Sequence, residues 1–295
     1  MHLDTMSTLA NNRAGSSVSG AMRWFVLVLA ACSHAPTRPI AVTYLGVAGW
    51  QLEADAVVIV TDPYFSRPAN ADAPLVPDVA AITAHAPAHA DLIVVGHSHY
   101  DHLLDAPTVA QRTGAKLMGS ASTLRVGRAT GLPEDQLIGV KGGEDLELSG
   151  FSVRVIPSLH SRIVGLSKDI VESPALPMPQ AGYEEGGTYA YLIRVAGRQI
   201  FVQDTANFIE RELVGIHPDI AILAPGLREA IHDYTCRLVH VLGDPPVVLV
   251  THFDAWHEQP ADQPSDDADK FSTEVRACSP HTRVIVPKHF ARMTL

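Results

Sequence analysis

The chain has 295 residues and a formal net charge of −10, with no cluster of lysine or arginine to offset it. That balance excludes a nucleic-acid surface as the main device. Hydrophobic residues make up 46%, an ordinary globular share that allows one large domain or two small ones around a real core. The sequence shows no repeat with a period of about 20–50 residues, no Gly-rich phosphate loop and no Gly-x-Ser-x-Gly elbow.

Residues 1–20 are polar and rich in small side chains, a composition that predicts disorder. Arg23 then precedes the apolar run Trp24 to Ala31. The run is too short to span a bilayer as a helix but suits the apolar region of a secretory signal. Leu29-Ala30-Ala31-Cys32 resembles a bacterial lipobox, which implies cleavage before Cys32 and membrane attachment through its lipidated thiol. Ser33 stands where inner-membrane retention would place Asp, so an outer-membrane anchor facing the periplasm is expected. An ordinary secretory signal, or a start at Met6 or Met22, is the alternative. Residues 1–31 are thus lead and signal, 32–39, with Pro36 and Pro39, a tether, and 40–295 one domain. Export permits a disulfide between Cys236 and Cys278, but spacing gives no distance, and two separate buried thiols are expected.

Ile40 to Leu45 and Trp50 to Glu53 read as strands punctuated by Gly46 and Gly49. Ala56 to Thr61 is a continuous apolar run, expected as a strand covered on both faces, and it ends in Thr61-Asp62-Pro63. Residues 66–87 read as a loop with a short helix. His85 and His89 lie in and just after it without ligand spacing and are expected to face solvent. Leu92 to Val95 is a buried strand that stops at Gly96, and His97-Ser98-His99-Tyr100-Asp101-His102 follows. If the chain stays extended, His97, His99 and Asp101 share one side. If a helix starts near Tyr100, His99 and His102 meet at i, i+3. Neutral imidazole and carboxylate are ligands for zinc and neighbouring divalent metals. Four such donors in six residues exceed what one tetrahedral ion takes from so short a segment, which points to two ions sharing the loop.

His-x-His-x-Asp-His directly after an apolar strand resembles the signature of the metallo-β-lactamase fold superfamily, and the resemblance extends from about Ile40 onward. In that family an Asp at the place of Asp62 supports the metal site by holding a ligand's second nitrogen; a turn residue before Pro63 is the alternative. Residues 103–114 read as a helix, 116–119 as a strand, and 120–129 as a helix capped by Ser120 or Ser122 and ended by Gly131. Residues 136–140 and 144–148 read as strands through Gly142-Gly143. The half-buried strand Phe151 to Ile156 leads to His160, where the family places a third histidine to join His97 and His99.

Residues 161–187 form a long insertion, expected as a lid or substrate wall, with a solvated linker as the alternative. A hairpin through Gly197 leads to Asp204, at the place of the family's carboxylate shared by two ions; an N-cap for a helix over 208–213 is the other reading. After the strand Asp219 to Leu223, the segment Arg228 to Tyr234 leads into a helix that runs on to Leu242; its His232 either borders the active site as a catalytic residue or, as a helix-start residue, faces water. The last strong strand, Val247 to Val250, ends in His252, the family's final ligand, which would complete a second site with Asp101 and His102. His257 is expected to be exposed. A helix over 271–278 and a strand over 283–286 close the chain, and His281 and His289 have no partner in spacing.

The resemblance implies an α+β fold: an αββα sandwich of two mixed β-sheets flanked by helices, with the site at one sheet edge. It implies two divalent ions, zinc first, with Mn2+, Fe2+ or Ni2+ able to fill the same ligands. It further implies a metal-bridging hydroxide, oriented by Asp101, acting on an ester, lactone, amide or phosphodiester of a small molecule or lipid. Tyr44-Leu45-Gly46, the compact His-Ser-His-Tyr-Asp-His-Leu and His252-Phe253-Asp254 are most similar to the branch holding the ascorbate-6-phosphate lactonase and the N-acyl-phosphatidylethanolamine phospholipase D. The chain departs from it at Val47-Ala48, where a His-Ala or His-Ser pair is common. A phospholipase D-like phosphodiesterase and a non-catalytic metal-binding lipoprotein are the alternative functions.

Overall fold

A computed structural model describes residues 38–70, 72–162, 167–254 and 266–295. The signal, Cys32, most of the tether and His257 lie outside the described residues.

The first half lays down β1 (Ala41–Gly46), β2 (Gly49–Ala54) and β3 (Val57–Thr61) as an antiparallel meander, then β4 (Leu92–Val94), β5 (Lys116–Gly119) and β6 (Leu137–Gly139) as parallel strands. Parallel neighbours need crossovers, supplied by α1 (Val79–His85), by α2 (Tyr100–Leu103) with α3 (Ala106–Thr113), and by α4 (Ala121–Ala129). The second half repeats the plan. The strands β7 (Asp145–Leu148), β8 (Phe151–Pro157), β9 (Tyr189–Val195) and β10 (Arg198–Gln203) are antiparallel. Parallel β11 (Ile220–Leu223), β12 (Val247–Val250) and β13 (Arg283–Ile285) follow, with α5 (Glu210–Leu213), α6 (Tyr234–Val241) and α7 (Asp266–Cys278) between strands. The terminal β14 (Arg292–Thr294) returns to pair with β1, so each sheet has seven strands, ordered β14-β1-β2-β3-β4-β5-β6 and β13-β12-β11-β10-β9-β8-β7.

The continuous apolar runs are explained by coverage on both faces. Ile59, Leu92 and Val94 join Val153, Ile200, Val202, Ile220 and Ile222 in the core between the sheets. Their neighbours in sequence turn outward: Val60 and Ile93 pack beneath the helices of the first half, and Phe201, Ala221 and Leu223 beneath those of the second. Each such side chain contributes roughly 1.5–3 kcal/mol by burial. The layering is the αββα sandwich that the sequence implies.

Ser120 caps α4, accepting from Thr123 N, while Ser122 Oγ instead accepts from Ile170 N. The segment ahead of the expected helix makes a single 3-10 turn over Arg228–Ala230, and α6 starts at Tyr234. Between them Asp233 sits at φ 47, a left-handed conformation that breaks the helix. His85 is exposed as expected, yet its ring stacks on Phe290 with centroids 3.8 Å apart. The insertion is not a solvated linker in its described part. Ser98 N donates to Glu185 O and Leu75 N to Met178 O, which holds the insertion against the body, while Gly186 N to Lys168 O closes it on itself.

The two separate thiols expected from sequence are not what the structure contains. Cys236 and Cys278 form a disulfide, with Cα atoms 5.2 Å apart. The reason is long-range packing: α6 and the end of α7 lie side by side, which brings into bonding range two residues 42 positions apart.

Candidate metal centre

The donors gather where strands of both sheets end. β4 passes through Val95, whose amide is bonded to Met118 O, into Gly96. A Cβ at Gly96 would lie 2.2 Å from Asp204 Oδ2. Only glycine therefore lets the carboxylate of the second sheet reach the histidine turn of the first. The chain stays extended through His99 and then enters α2, so both local conformations weighed from the sequence occur, one after the other.

His97, His99 and His160 form one group of donors, Asp101, His102 and His252 a second, and His97, His102 and Asp204 a third that takes one member from each; within each group the ligand atoms lie within 4.8 Å of one another. Asp204 thus stands between the two main groups, with Oδ2 accepting from His97 Nδ1 at 2.6 Å and lying 3.3 Å from His102 Nδ1. Asp101 Oδ2 lies 3.6 Å from His102 Nε2 and 3.4 Å from His252 Nε2. Asp62 is behind the cluster: its Oδ1 accepts from Gly96 N at 2.8 Å and sits 3.4 Å from His102 Nδ1. His232 is not brought to the cluster. It is exposed and lines a separate cavity beside the disulfide, because the 3-10 turn at Arg228 carries the chain away from the sheet edge.

These residues fit a bound cation. His97 spends its Nδ1 proton on Asp204, and His160 donates Nδ1–H to Ser161 O at 2.6 Å. In the neutral ring the other nitrogen then carries a lone pair. The two Nε2 atoms nevertheless face each other at 3.1 Å. Nitrogens held ~2.0–2.1 Å from a tetrahedral zinc ion lie about 3.3 Å apart. Both ring nitrogens of His102 and Oδ1 of Asp204 are buried without a hydrogen-bond partner among the described residues, an arrangement that costs free energy unless an ion satisfies them.

The electrostatics agree. Burial pushes the imidazoles of His97, His102 and His160 below their ordinary range, the neutral state a metal needs. Burial alone would raise the Asp101 carboxyl, but His102 and His252 hold it well below the usual carboxylate range. Burial pushes Asp204 and Asp62 up, and for Asp62 the nearby charge of Asp204 adds to the effect. A divalent cation would relieve these buried carboxylates.

One set of supporting residues had no role in the sequence reading. Asp254, two residues past His252, accepts from Tyr44 Oη at 2.5 Å, from Val47 N at 2.9 Å, from Arg67 Nη2 at 2.8 Å and from His289 Nε2 at 3.1 Å. Its carboxyl stays well below the ordinary range: burial alone would raise it, but His289 and Arg67 outweigh that. His252 itself sits at φ 50 with its amide bonded to Val47 O, so a strained residue is held by the network around Asp254. The His-Phe-Asp ending carried the signal, but the partners lie as far as 210 residues away in sequence.

The cluster forms the floor of a cavity of about 480 Å³. Tyr100, Gln180 and Tyr183 contribute to its walls, so the insertion supplies a wall of the site. Burial pushes both tyrosine hydroxyls well above their ordinary range, which keeps them protonated.

The family profile described as Beta-lactamase superfamily domain matches residues 58–241. The chain belongs to the beta-lactamase superfamily. The match takes in six of the seven candidate ligands. A UPF0173 metal-dependent hydrolase of Methanopyrus kandleri is 26% identical over 247 residues, covering 83% of this chain and 95% of the relative. Another, of Aeropyrum pernix, is 30% identical over 200 residues, covering 62% of this chain and 70% of the relative. Among solved structures, Igni18, a metallo hydrolase from Ignicoccus hospitalis, superimposes with a TM-score of 0.63 at 21% identity, covering 88% of this chain and 99% of that one. At that identity the likeness speaks for the fold alone.

Proposed function

We propose that this metal-dependent hydrolase of the beta-lactamase superfamily holds two divalent ions and cleaves an ester, lactone, amide or phosphodiester. The observation that carries the reading is Asp204, a buried carboxylate placed between His97-His99-His160 and Asp101-His102-His252. Nitrogen and oxygen donors of this kind suit zinc first, with manganese, iron or nickel as substitutes. When bound, the ions would supply an ionised water and an electrophile for the carbonyl or phosphoryl oxygen.

The chain's own residues divide the remaining work. Asp101, kept ionised at the cavity floor, accepts a hydrogen bond from the attacking water and orients it. Asp62 fixes the Gly96 turn and the far side of the His102 ring. Tyr100 and Tyr183 present hydroxyl donors to the substrate from the wall. His232 has no part in this site.

The disulfide supports export, since such bonds persist in oxidising compartments. We extend the proposal to a lipoprotein anchored through Cys32 and facing the periplasm. Cys32→Ser should release the protein from the membrane fraction.

Metal analysis of the purified protein, followed by ester, lactone, amide and phosphodiester substrates on zinc- and manganese-loaded samples, tests the function. Two ions per chain and turnover abolished by His160→Ala are expected. Two tightly held ions with no turnover on any substrate would leave a metal-binding protein instead.

A further inference from the structure

The described wall of the cavity carries no free cationic side chain of its own. Among the described residues that line it there is no lysine or arginine. The segments 163–166 and 255–265, outside the described residues, contain neither residue in their sequence. Arg67 and Arg228, which stand beside the lining residues Asp254 and Asp267, are committed. Arg67 is bonded to Asp254 with 1% of its side chain exposed. Arg228, 4% exposed, is bonded to Asp267 and, at 2.8 Å, to Glu274.

The acids of the wall are equally occupied. Asp101 and Asp204 belong to the donor cluster, Asp254 takes Arg67 and His289, and Asp267 takes Arg228. What remains away from the floor is uncharged: Gln180 and the hydroxyls of Ser161 and Thr205, beside the largely apolar bodies of Tyr100, Tyr183, Leu227 and Phe253. Their apolar surface carries the tyrosine hydroxyls, for which the structure gives no hydrogen-bond partner among the described residues. Leu227 is 52% exposed and stands at the mouth.

An anionic group on the substrate, away from the reacting bond, would therefore lose its water against apolar side chains and carboxylates, with neutral hydroxyl and amide donors but no cation to pair with. Unpaired buried charge is among the most unfavourable arrangements in a protein. An uncharged alkyl or aryl body gains from the same wall.

We propose that the substrate is an uncharged ester or lactone with an apolar body, and that the cavity turns away molecules bearing a second anionic group, such as phosphorylated lactones, carboxylated β-lactams and phospholipid headgroups. This rests on the hydrolase reading above. In the reaction, water adds across the acyl C–O bond. The alcohol leaves with one proton, the acid leaves as its carboxylate, and the second proton passes to solvent. The negative charge thus arises only at the floor.

Three probes on the zinc-loaded full chain test it: para-nitrophenyl octanoate, mono-para-nitrophenyl suberate, which has the same chain length but ends in a carboxylate, and bis-para-nitrophenyl phosphate. The octanoate is expected to exceed the suberate in kcat/KM by at least about 50-fold, chiefly through KM, because the added charge finds no cationic partner. Leu227→Arg places a cation at the exposed mouth and should narrow that gap to about 5-fold. Parity of the suberate or the phosphodiester with the octanoate in the wild type overturns the proposal.

If no probe is cleaved although two ions are bound, the hydrolase reading fails, and the cavity is judged separately by NMR saturation transfer with 2-decanone and 9-oxodecanoate. Binding of the ketone without the keto acid sustains the inference. Equal binding, or binding of the keto acid alone, refutes it.

Discussion

In the first sheet the meander β1-β2-β3 passes into parallel β4-β5-β6, and in the second β8-β9-β10 passes into parallel β11-β12-β13. Strand for strand, β3 corresponds to β10 and β4 to β11. Asp62 follows β3 and Asp204 follows β10, so the two buried carboxylates occupy corresponding places, and they approach the same atom, His102 Nδ1, at 3.4 and 3.3 Å. The next strands differ. β4 ends in the turn that carries His97, His99, Asp101 and His102, whereas β11 ends in Ala224-Pro225-Gly226-Leu227, which offers cavity wall and no side-chain donor. The second half instead spreads its donors over three strand ends: His160 after β8, Asp204 after β10 and His252 after β12. One half holds donors by local chain geometry. The other delivers them only when its sheet packs against the first.

The two corresponding acids are told apart by neutralising them one at a time, which should give the largest effect. Asp62 has a backbone amide to satisfy it and touches a single histidine, so Asp62→Asn should weaken metal affinity by the ~10–100-fold expected of a supporting partner. Asp204 has an unpaired Oδ1 and contacts histidines of both groups. Asp204→Asn should therefore exceed the upper end of that ~10–100-fold range and lower the metal content of both groups together. Equal losses in the two variants, measured by metal analysis after dialysis, would make the acids equivalent and remove Asp204 from between the ions.

The same contrast explains what the sequence could convey. The first-half donors lie within six residues after an apolar run, so their grouping is visible before any fold is known. His160, Asp204 and His252 are each one polar residue after a strand; only their order along the chain, matched to a family, singles them out. Asp254 and His289 had no such order. His289 finds its partner 35 residues upstream through the pairing of Tyr44 with the chain end. The disulfide and the displacement of His232 were hidden for a related reason, since both depend on how α6 packs on α7 and where a helix begins.

His252 is the donor most dependent on its surroundings, which gives the next largest effect. Asp254→Asn keeps size but loses the charge that holds Arg67 and His289. The strained backbone at His252 should relax and the second group should lose its ion first. Metal content is expected to fall from two ions per chain toward one, with the His97-His99-His160 group still filled. Loss of both ions in parallel would mean that Asp254 supports the whole fold and not this limb of the site.

A smaller effect follows from the protonation of the cluster. In metal-free protein, burial holds His97, His102 and His160 below the ordinary imidazole value. The unfolded chain then takes up protons first, so their contribution to stability is present above a pH of about 6.5 and is lost as pH falls below it. His252 acts in the opposite sense. Burial would lower it, but its bond to Asp101 raises it, so its contribution is present at low pH and lost as pH rises through the raised value. Asp62, Asp204 and Asp105, all pushed up by burial, act in the same sense as His252, so the histidine effect is read by difference: between pH 7 and pH 5 the Tm of metal-free wild type should fall further, or rise less, than that of His160→Gln. An identical pH response of the two, read by scanning fluorimetry, would contradict the buried neutral state of His160.

The smallest effect on the site itself should come from the disulfide, which belongs wholly to the second half. Cys236 and Cys278 tie α6 to the end of α7, closing a loop of 42 residues. Such a crosslink limits the unfolded chain and typically contributes ~2–4 kcal/mol. Its loss acts on the shell behind the cavity, where Arg228 is bonded to Asp267 and Glu274 of α7. The double variant Cys236→Ser, Cys278→Ser should therefore unfold at lower denaturant concentration while still retaining two ions per chain. If it instead lost metal in proportion to stability, the second half's donors would depend on the crosslink as well as on the sheet, and the contrast between a local and a packed half would be sharper than the strand ends alone imply.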